Sequence, residues 1–222
     1  MRLTDALAAN RYPGRGLLWC RTGDGSPAGT YFMTGRSPAS RARRLADAPG
    51  GGLLAVPTDD REHDALRHYT AVRPVDGRLV LGNGEQVDTV ADRLAAGATP
   101  ATALDGLDYE PDPPIHTPRI TLVADPDGTA WLGAARRSAL GREPADRMTL
   151  RVAGLRPGEG VLLTTYASDG ETVAAAPPYT EVRVSAADRA ELLDEVWTAL
   201  DPALRVTAAV CAPGVPVRTV RA

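Results

Sequence analysis

Short apolar segments bounded by turn chemistry recur along this chain, and the shortness of the links between them constrains the fold more than any other feature. "GLLWCRT" is followed by "GDGSPAG" and then "TYFMTGR", which predicts a hairpin near the beginning of the sequence. "LLAVPT", "YTAVRPV" with its "DG" turn, and "RLVLG" predict three more strands, and "RITLVAD", "PDGT" and "AWLGAARR" a second hairpin. "GVLLTTYA" and "RVTAAVCA" are further strand candidates. Links this short suit antiparallel neighbours, because parallel strands need crossovers of a dozen or more residues. Helical segments do not alternate regularly with strands, so a doubly wound parallel sheet is disfavoured. The expectation is an α+β protein with mostly antiparallel sheets.

Helices are fewer. "QVDTVADRLAAG" places Val87, Val90, Ala91 and Leu94 on one face, with Asp88 or Thr89 as a cap and Gly97 as a stop. "ATPATALDGL" predicts a second short helix. Leu192, Leu193, Val196, Trp197 and Leu200 form the clearest apolar stripe, with Ser185 expected to cap amides near Asp188. The chain has 222 residues with no internal repeat and no long linker, and is read as one domain spanning 1–222.

The net charge is only −3, so the global field points to neither nucleic acid nor an anionic membrane surface. All 25 basic side chains are arginine, which excludes Schiff-base chemistry, a P-loop lysine and a lysine general base. Cys20 and Cys211 sit in apolar segments without histidines at metal-ligand spacing, and are read as reduced, buried thiols with no metal. No stretch has the apolar core of a signal peptide or the length to span a bilayer, so a cytoplasmic location is expected.

Three segments carry groups suited to chemistry. In "TGRSPASRARR", Ser37 followed by Pro38 is a helix start, and Arg36, Arg41, Arg43 and Arg44 surround it. That combination suits a phosphomonoester, or simply a solvated basic helix face. "GNGEQVDTV" brings Asn83 and Gly84 to a place where backbone approaches a ligand, or forms a hairpin turn running into a helix. In "DYEPDPPIHTPRI", Pro111, Pro113, Pro114 and Pro118 fix a loop that holds Tyr109, Glu110, His116, Thr117 and Arg119 at the start of a strand. The alternative is a proline-stiffened edge with exposed charges.

In this order the segments resemble the archaeal-type IMP cyclohydrolases. The likeness rests on Gly14-Arg15, "GRSPASR", Asn83-Gly84, Asp88-Thr89, "ADRLAAG" and "DYEPDPPIHTPRI", with "TTY" and "VTAAV" further along, and so covers most of the chain. It implies a four-layer αββα sandwich similar to the N-terminal nucleophile hydrolase fold, without that group's terminal-nucleophile chemistry. It also implies closure of a purine ring. The carboxamide nitrogen of 5-formamidoimidazole-4-carboxamide ribonucleotide attacks its own formyl carbon, and water is lost to give IMP.

By the same resemblance Arg36, Ser37 and Arg41 would hold the phosphate, and Asn83, Gly84 and Asp88 would position base or ribose, with Asp88 also a reserve catalytic carboxylate. Tyr109 and Thr117 would touch substrate, Glu110 would transfer protons, and Arg119 would meet charge at the formyl oxygen. His116 stands where the family carries asparagine, a titratable ring in place of a neutral amide. The partner implied is a small-molecule purine nucleotide, with no metal or redox cofactor. A purine-analogue nucleotide and a catalytically inactive nucleotide-binding protein are the alternatives, and monomer and homo-oligomer both stay open.

Overall fold

The computed structural model describes residues 1–58, 66–168, 173–175 and 179–221. Helix α1 (Leu3–Ala9) precedes β1 (Arg15–Arg21) and β2 (Pro27–Thr34), and helix α2 (Pro38–Arg41) leads into β3 (Arg43–Ala48). Next come β4 (Gly52–Pro57), β5 (Tyr69–Val75) and β6 (Arg78–Gly82), then helices α3 (Gln86–Ala95) and α4 (Pro100–Ala103). Strands β7 (Arg119–Ala124), β8 (Ala130–Arg136), β9 (Asp146–Val152) and β10 (Glu159–Thr164) follow, with a small ribbon of β11 (Tyr166–Ser168) and β12 (Val173–Ala175). The chain continues through β13 (Thr180–Arg183), α5 (Arg189–Ala199), β14 (Arg205–Ala212) and β15 (Val215–Arg221).

The strands form a six-stranded sheet in the order β13-β10-β1-β2-β14-β15 and a seven-stranded meander from β3 to β9. Neighbours in both sheets are antiparallel, as the short links require. Both expected hairpins are present, as β1–β2 and β7–β8. The strands that the pattern of apolar residues did not announce include β3, β9, β13 and β15, which are the four sheet edges. Strand β3 carries charges and mixed burial, so its alternation is weak in sequence; β13 has only four residues, and β9 does alternate, with Met148, Leu150 and Val152 set against Arg147, Thr149 and Arg151.

Side-chain alternation then sorts the core. On β1, Leu17 and Trp19 face the apolar layer that joins the two sheets, whereas Leu18 and Cys20 face the layer beneath α1 and α5. On the other sheet Val80 and Val123 turn outward to meet Val87, Val90, Ala91 and Leu94 of α3. Arg15 shares the parity of Leu17 and Trp19, so its side chain enters at the end of the inter-sheet layer. Strand β5 contains a register shift: Leu53 pairs with Val72 and Leu54 with Thr70, leaving Ala71 as the extra residue. The bulge lets Tyr69 and Val72 both join the core while Thr70 and Arg73 both reach α3.

Three local expectations are corrected. Helix α3 begins at Gln86 after Glu85 with no side-chain cap, so Asp88 and Thr89 lie inside the helix. Helix α5 is capped by Asp188, whose carboxylate accepts from the amides of Ala190 and Glu191 at 2.7 and 2.9 Å. Ser185 is not the cap; its own amide donates to Glu195. Arg43 and Arg44 belong to β3 rather than to a basic helix face, because α2 has only four residues. Cys20 and Cys211 are free and buried, and burial pushes both thiols up to about 12. Among the described residues no helix is long and apolar enough to cross a membrane.

Candidate active site

Arg15 is 8% exposed, and an arginine buried that deeply is costly unless a carboxylate meets it. Glu110, brought over from the proline-rich loop, supplies that carboxylate: Arg15 Nη2 donates to Glu110 Oε1 at 2.5 Å. Asn83 Nδ2 donates to the same oxygen at 2.8 Å and to the Pro118 carbonyl at 3.0 Å. The other end of the Asn83 amide accepts the Ile120 N–H at 2.7 Å, which fixes its orientation. The end of β6 and the start of β7 are thereby tied around one carboxylate oxygen.

The loop is held from both sides. The Glu110 amide donates to the Thr117 carbonyl at 2.9 Å. The Thr117 amide and hydroxyl both donate to Asp112, and the hydroxyl accepts from the Tyr166 phenol. Tyr166 in turn packs under Gly14, where φ is +69° and an added Cβ would lie 2.3 Å from Thr165 Oγ1 and 2.5 Å from the Tyr166 ring. Only glycine fits there, and it allows Arg15 to start its strand beside Tyr166.

Two more phenols complete the surroundings. Tyr31 of the six-stranded sheet and Tyr69 of the seven-stranded sheet meet with their hydroxyls 2.6 Å apart, fully inside the protein. Burial and the neighbouring Tyr69 push the Tyr31 phenol well up, against the pull of Arg15 and Arg43. Burial also raises the Glu110 carboxyl; Arg15 works against the rise, Asp112 adds to it and Arg119 opposes it. A buried carboxyl displaced upward beside a cavity is suited to proton transfer.

A cavity of about 160 Å³ lies against this group, lined by Leu66, Asn83, Gly84, Glu85, Glu110, Pro111 and Arg119. Arg119 Nη2 reaches Glu85 at 2.6 Å across its mouth. A larger hollow of about 470 Å³ sits at the β10–β13 edge, but Arg156 and Arg183 there are both paired with Glu159, and Glu181 also lines it. Among the described residues no group of three or more His, Cys, Asp or Glu side chains could hold a metal ion.

Of the residues singled out from sequence, Glu110, Asn83, Gly84 and Arg119 share the cavity, and Thr117 braces the loop. Tyr109 and His116 meet edge to face with ring centroids 5.3 Å apart. Asp88 is held instead by Thr70 and Arg73, both at 2.9 Å, in a link from α3 to β5. Its carboxylate makes no hydrogen bond to Glu110, Asn83 or Arg119, because its place on α3 faces the opposite side of β5 from Tyr69. Ser37 spends its hydroxyl on the amide and hydroxyl of Ser40, and Arg41 spends its guanidinium on the carbonyls of Ala203 and Arg36. Arg36 lies 4.7 Å over the Tyr12 ring, which stacks on Tyr166 at 5.6 Å, so it alone of the three is connected through side chains to the Thr117 brace.

Sequence reasoning did not single out Arg15, Tyr31, Tyr69, Tyr166 or Gln86 as site residues. The available signals were a lone arginine at the inward parity of an apolar strand, and a glutamine preceding the apolar stripe of α3. Neither says what the side chain meets across the other sheet.

His116 adopts φ +51°, the left-handed region, which asparagine and histidine tolerate and β-branched residues do not. His116→Val is therefore expected to destabilise the protein by about 1–3 kcal/mol in urea unfolding, and His116→Asn to leave stability within about 0.5 kcal/mol. Equal losses in both variants would place the role in the ring rather than in the backbone.

The family model described as IMP cyclohydrolase-like protein matches residues 12–215. An IMP cyclohydrolase of Methanopyrus kandleri is 36% identical over 166 residues, covering 72% of this chain and 77% of that protein. One of Halobacterium salinarum is 32% identical over 202 residues, covering 88% and 89%. One of Methanocaldococcus jannaschii is 26% identical over 157 residues, covering 70% and 73%. A match running from Tyr12, beside Arg15, through both sheets to β15 makes this chain a member of the IMP cyclohydrolase-like family.

Proposed function

We propose that this chain is a cyclohydrolase that closes the ring of 5-formamidoimidazole-4-carboxamide ribonucleotide to IMP. The observation that carries the reading is Glu110, a buried carboxyl raised by its surroundings and held by Arg15 and Asn83 at the wall of a cavity. The carboxamide nitrogen attacks the formyl carbon, a C–N bond forms, and the carbonyl electrons move onto oxygen next to Arg119. Glu110 takes the proton released by that nitrogen and passes it to the alkoxide, which becomes a hydroxyl; the formamido N–H proton then follows to the same oxygen. The hydroxyl leaves as water, whose hydrogens come from the carboxamide and formamido nitrogens, and the C=N bond of the purine is complete.

Loop rigidity serves this step. Holding nitrogen and formyl carbon in contact replaces lost rotational freedom, and the brace from Thr117 to Asp112 and Tyr166 keeps Glu110 in place without substrate. The site on the Arg36 side of Tyr12 takes the 5′-phosphate. Arg36→Ala is expected to weaken nucleotide binding by about 1.5–3 kcal/mol, the range for hydrogen bonds to charged groups, while leaving nucleoside binding unchanged. Equal affinities of the wild type for nucleotide and nucleoside would remove the phosphate from this position.

The order helices, sheet, sheet, helices, with one apolar layer at each junction, supports reading the single domain as the four-layer αββα sandwich of the N-terminal nucleophile hydrolases. The deciding experiment is spectrophotometric: purified protein is expected to form IMP from the formamido nucleotide with no added metal or redox cofactor. A large nucleotide-induced thermal shift without turnover would instead identify a binding protein.

A further inference from the structure

Gln86 is 1% exposed, at the first position of α3. Its Nε2 donates to Asn83 Oδ1 at 3.1 Å and to the Ile120 carbonyl at 3.2 Å. Asn83 is itself oriented by the Ile120 N–H, so both acceptors facing Gln86 are fixed and its amide cannot be turned over. The remaining atom, Oε1, is buried and accepts no hydrogen bond from the described residues. Arg119 Nε is likewise buried and donates to no acceptor among the described residues, although Nη2 of the same guanidinium is paired with Glu85. An unmatched acceptor and an unmatched donor are each costly to bury, and here they flank one spot. A methyl group built on Gly84 would stand 2.8 Å from Gln86 Oε1 and 3.7 Å from both Arg119 Nε and Glu110 Oε1.

The geometry points to Gln86 as a specificity-determining residue: we propose that Gln86 Oε1 and Arg119 Nε–H together read the amide edge of the ligand. The acceptor takes an N–H and the donor meets the adjoining C=O. This rests on the cyclohydrolase reading and deepens it. The carboxamide of the substrate and the lactam edge of a 6-oxopurine product present the same N–H and C=O neighbours, so one pair serves both ends of the reaction. A 6-aminopurine presents the reverse, an amino donor beside a ring-nitrogen acceptor, and sets like against like at both positions. Gly84 keeps the approach open, since any Cβ there would press on Gln86 Oε1.

The test is calorimetric titration of wild type, Gln86→Met and Gln86→Glu with IMP and with AMP, alongside turnover of the formamido nucleotide. Wild type is expected to prefer IMP over AMP by about 10- to 100-fold, the penalty range for an unmatched buried polar group. Gln86→Met should bring that ratio to within about threefold. Gln86→Glu keeps an acceptor at the same place without the amide NH2 that ties Asn83 to Ile120, and should retain the preference. If Gln86→Met weakens IMP and AMP by the same factor, or Gln86→Glu loses the preference, Gln86 is a structural tie and the proposal is overturned. Equal wild-type affinities for the two nucleotides, or no affinity for either, overturn it too. Preference for IMP without turnover would defeat the catalytic reading while the amide-reading pair stands.

Discussion

Glu110→Gln is expected to lower kcat by about 10²-fold or more with little change in KM, since the amide keeps the shape of the side chain but cannot carry a proton. The same variant has a signature in stability. Burial raises the folded-state carboxyl above its unfolded value, so its favourable contribution is fully present below the unfolded value and is lost as pH rises through the folded one. Urea unfolding across that window should therefore slope downward with rising pH in wild type and lose that part of the slope in Glu110→Gln. Activity runs the opposite way, because the step needs the ionised base: the rate should climb over the same window. An unaltered kcat would take proton transfer away from Glu110, and Asp88, held by Thr70 and Arg73, is in no position to inherit it.

Arg15→Met is expected to have the larger effect on stability. Removing one partner of a buried ion pair costs about 3–5 kcal/mol, because the other charge stays behind in the interior. Glu110 would keep the Asn83 donor but lose its nearest cation. Its carboxyl should climb further, because the opposing pull of an adjacent cation is gone, and the acid limb of the rate profile should move up with it. Arg15→Lys serves as the milder companion if the methionine variant fails to fold: it keeps the charge, loses the planar fork, and should move the limb less. An acid limb at the same pH in wild type and both variants would mean that Arg15 does not govern the Glu110 proton.

Much of the architecture was legible because its causes are local. Hairpins followed from turn residues between apolar runs, and α3 followed from Val87, Val90, Ala91 and Leu94 recurring on one face ahead of Gly97. Edge strand β3 was hidden because it pairs on one side only and its mixed burial leaves little alternation to read, whereas β9 was missed although Met148, Leu150 and Val152 alternate with Arg147, Thr149 and Arg151. The site was half visible. Glu110, Asn83, Gly84 and Arg119 sit in segments whose prolines, glycines and capping residues mark backbone held in a particular shape, and that is a sequence property.

What Glu110 touches was not visible. Glu110 and Arg15 are 95 residues apart in the chain, and Tyr31 and Tyr69 come from different sheets. The sequence by itself determined that there would be antiparallel hairpins, an amphipathic α3, and a stiff polar loop before β7. Only the tertiary structure decided that the loop's carboxylate would meet a buried arginine. It also decided that Asp88 would turn toward Thr70, and that Gln86 would be left with one acceptor facing Gly84. The physical reason is that each of these outcomes depends on which way a side chain points once two sheets have stacked. Strand parity fixes that direction only after register is set, and in β5 a single extra residue, Ala71, changes it.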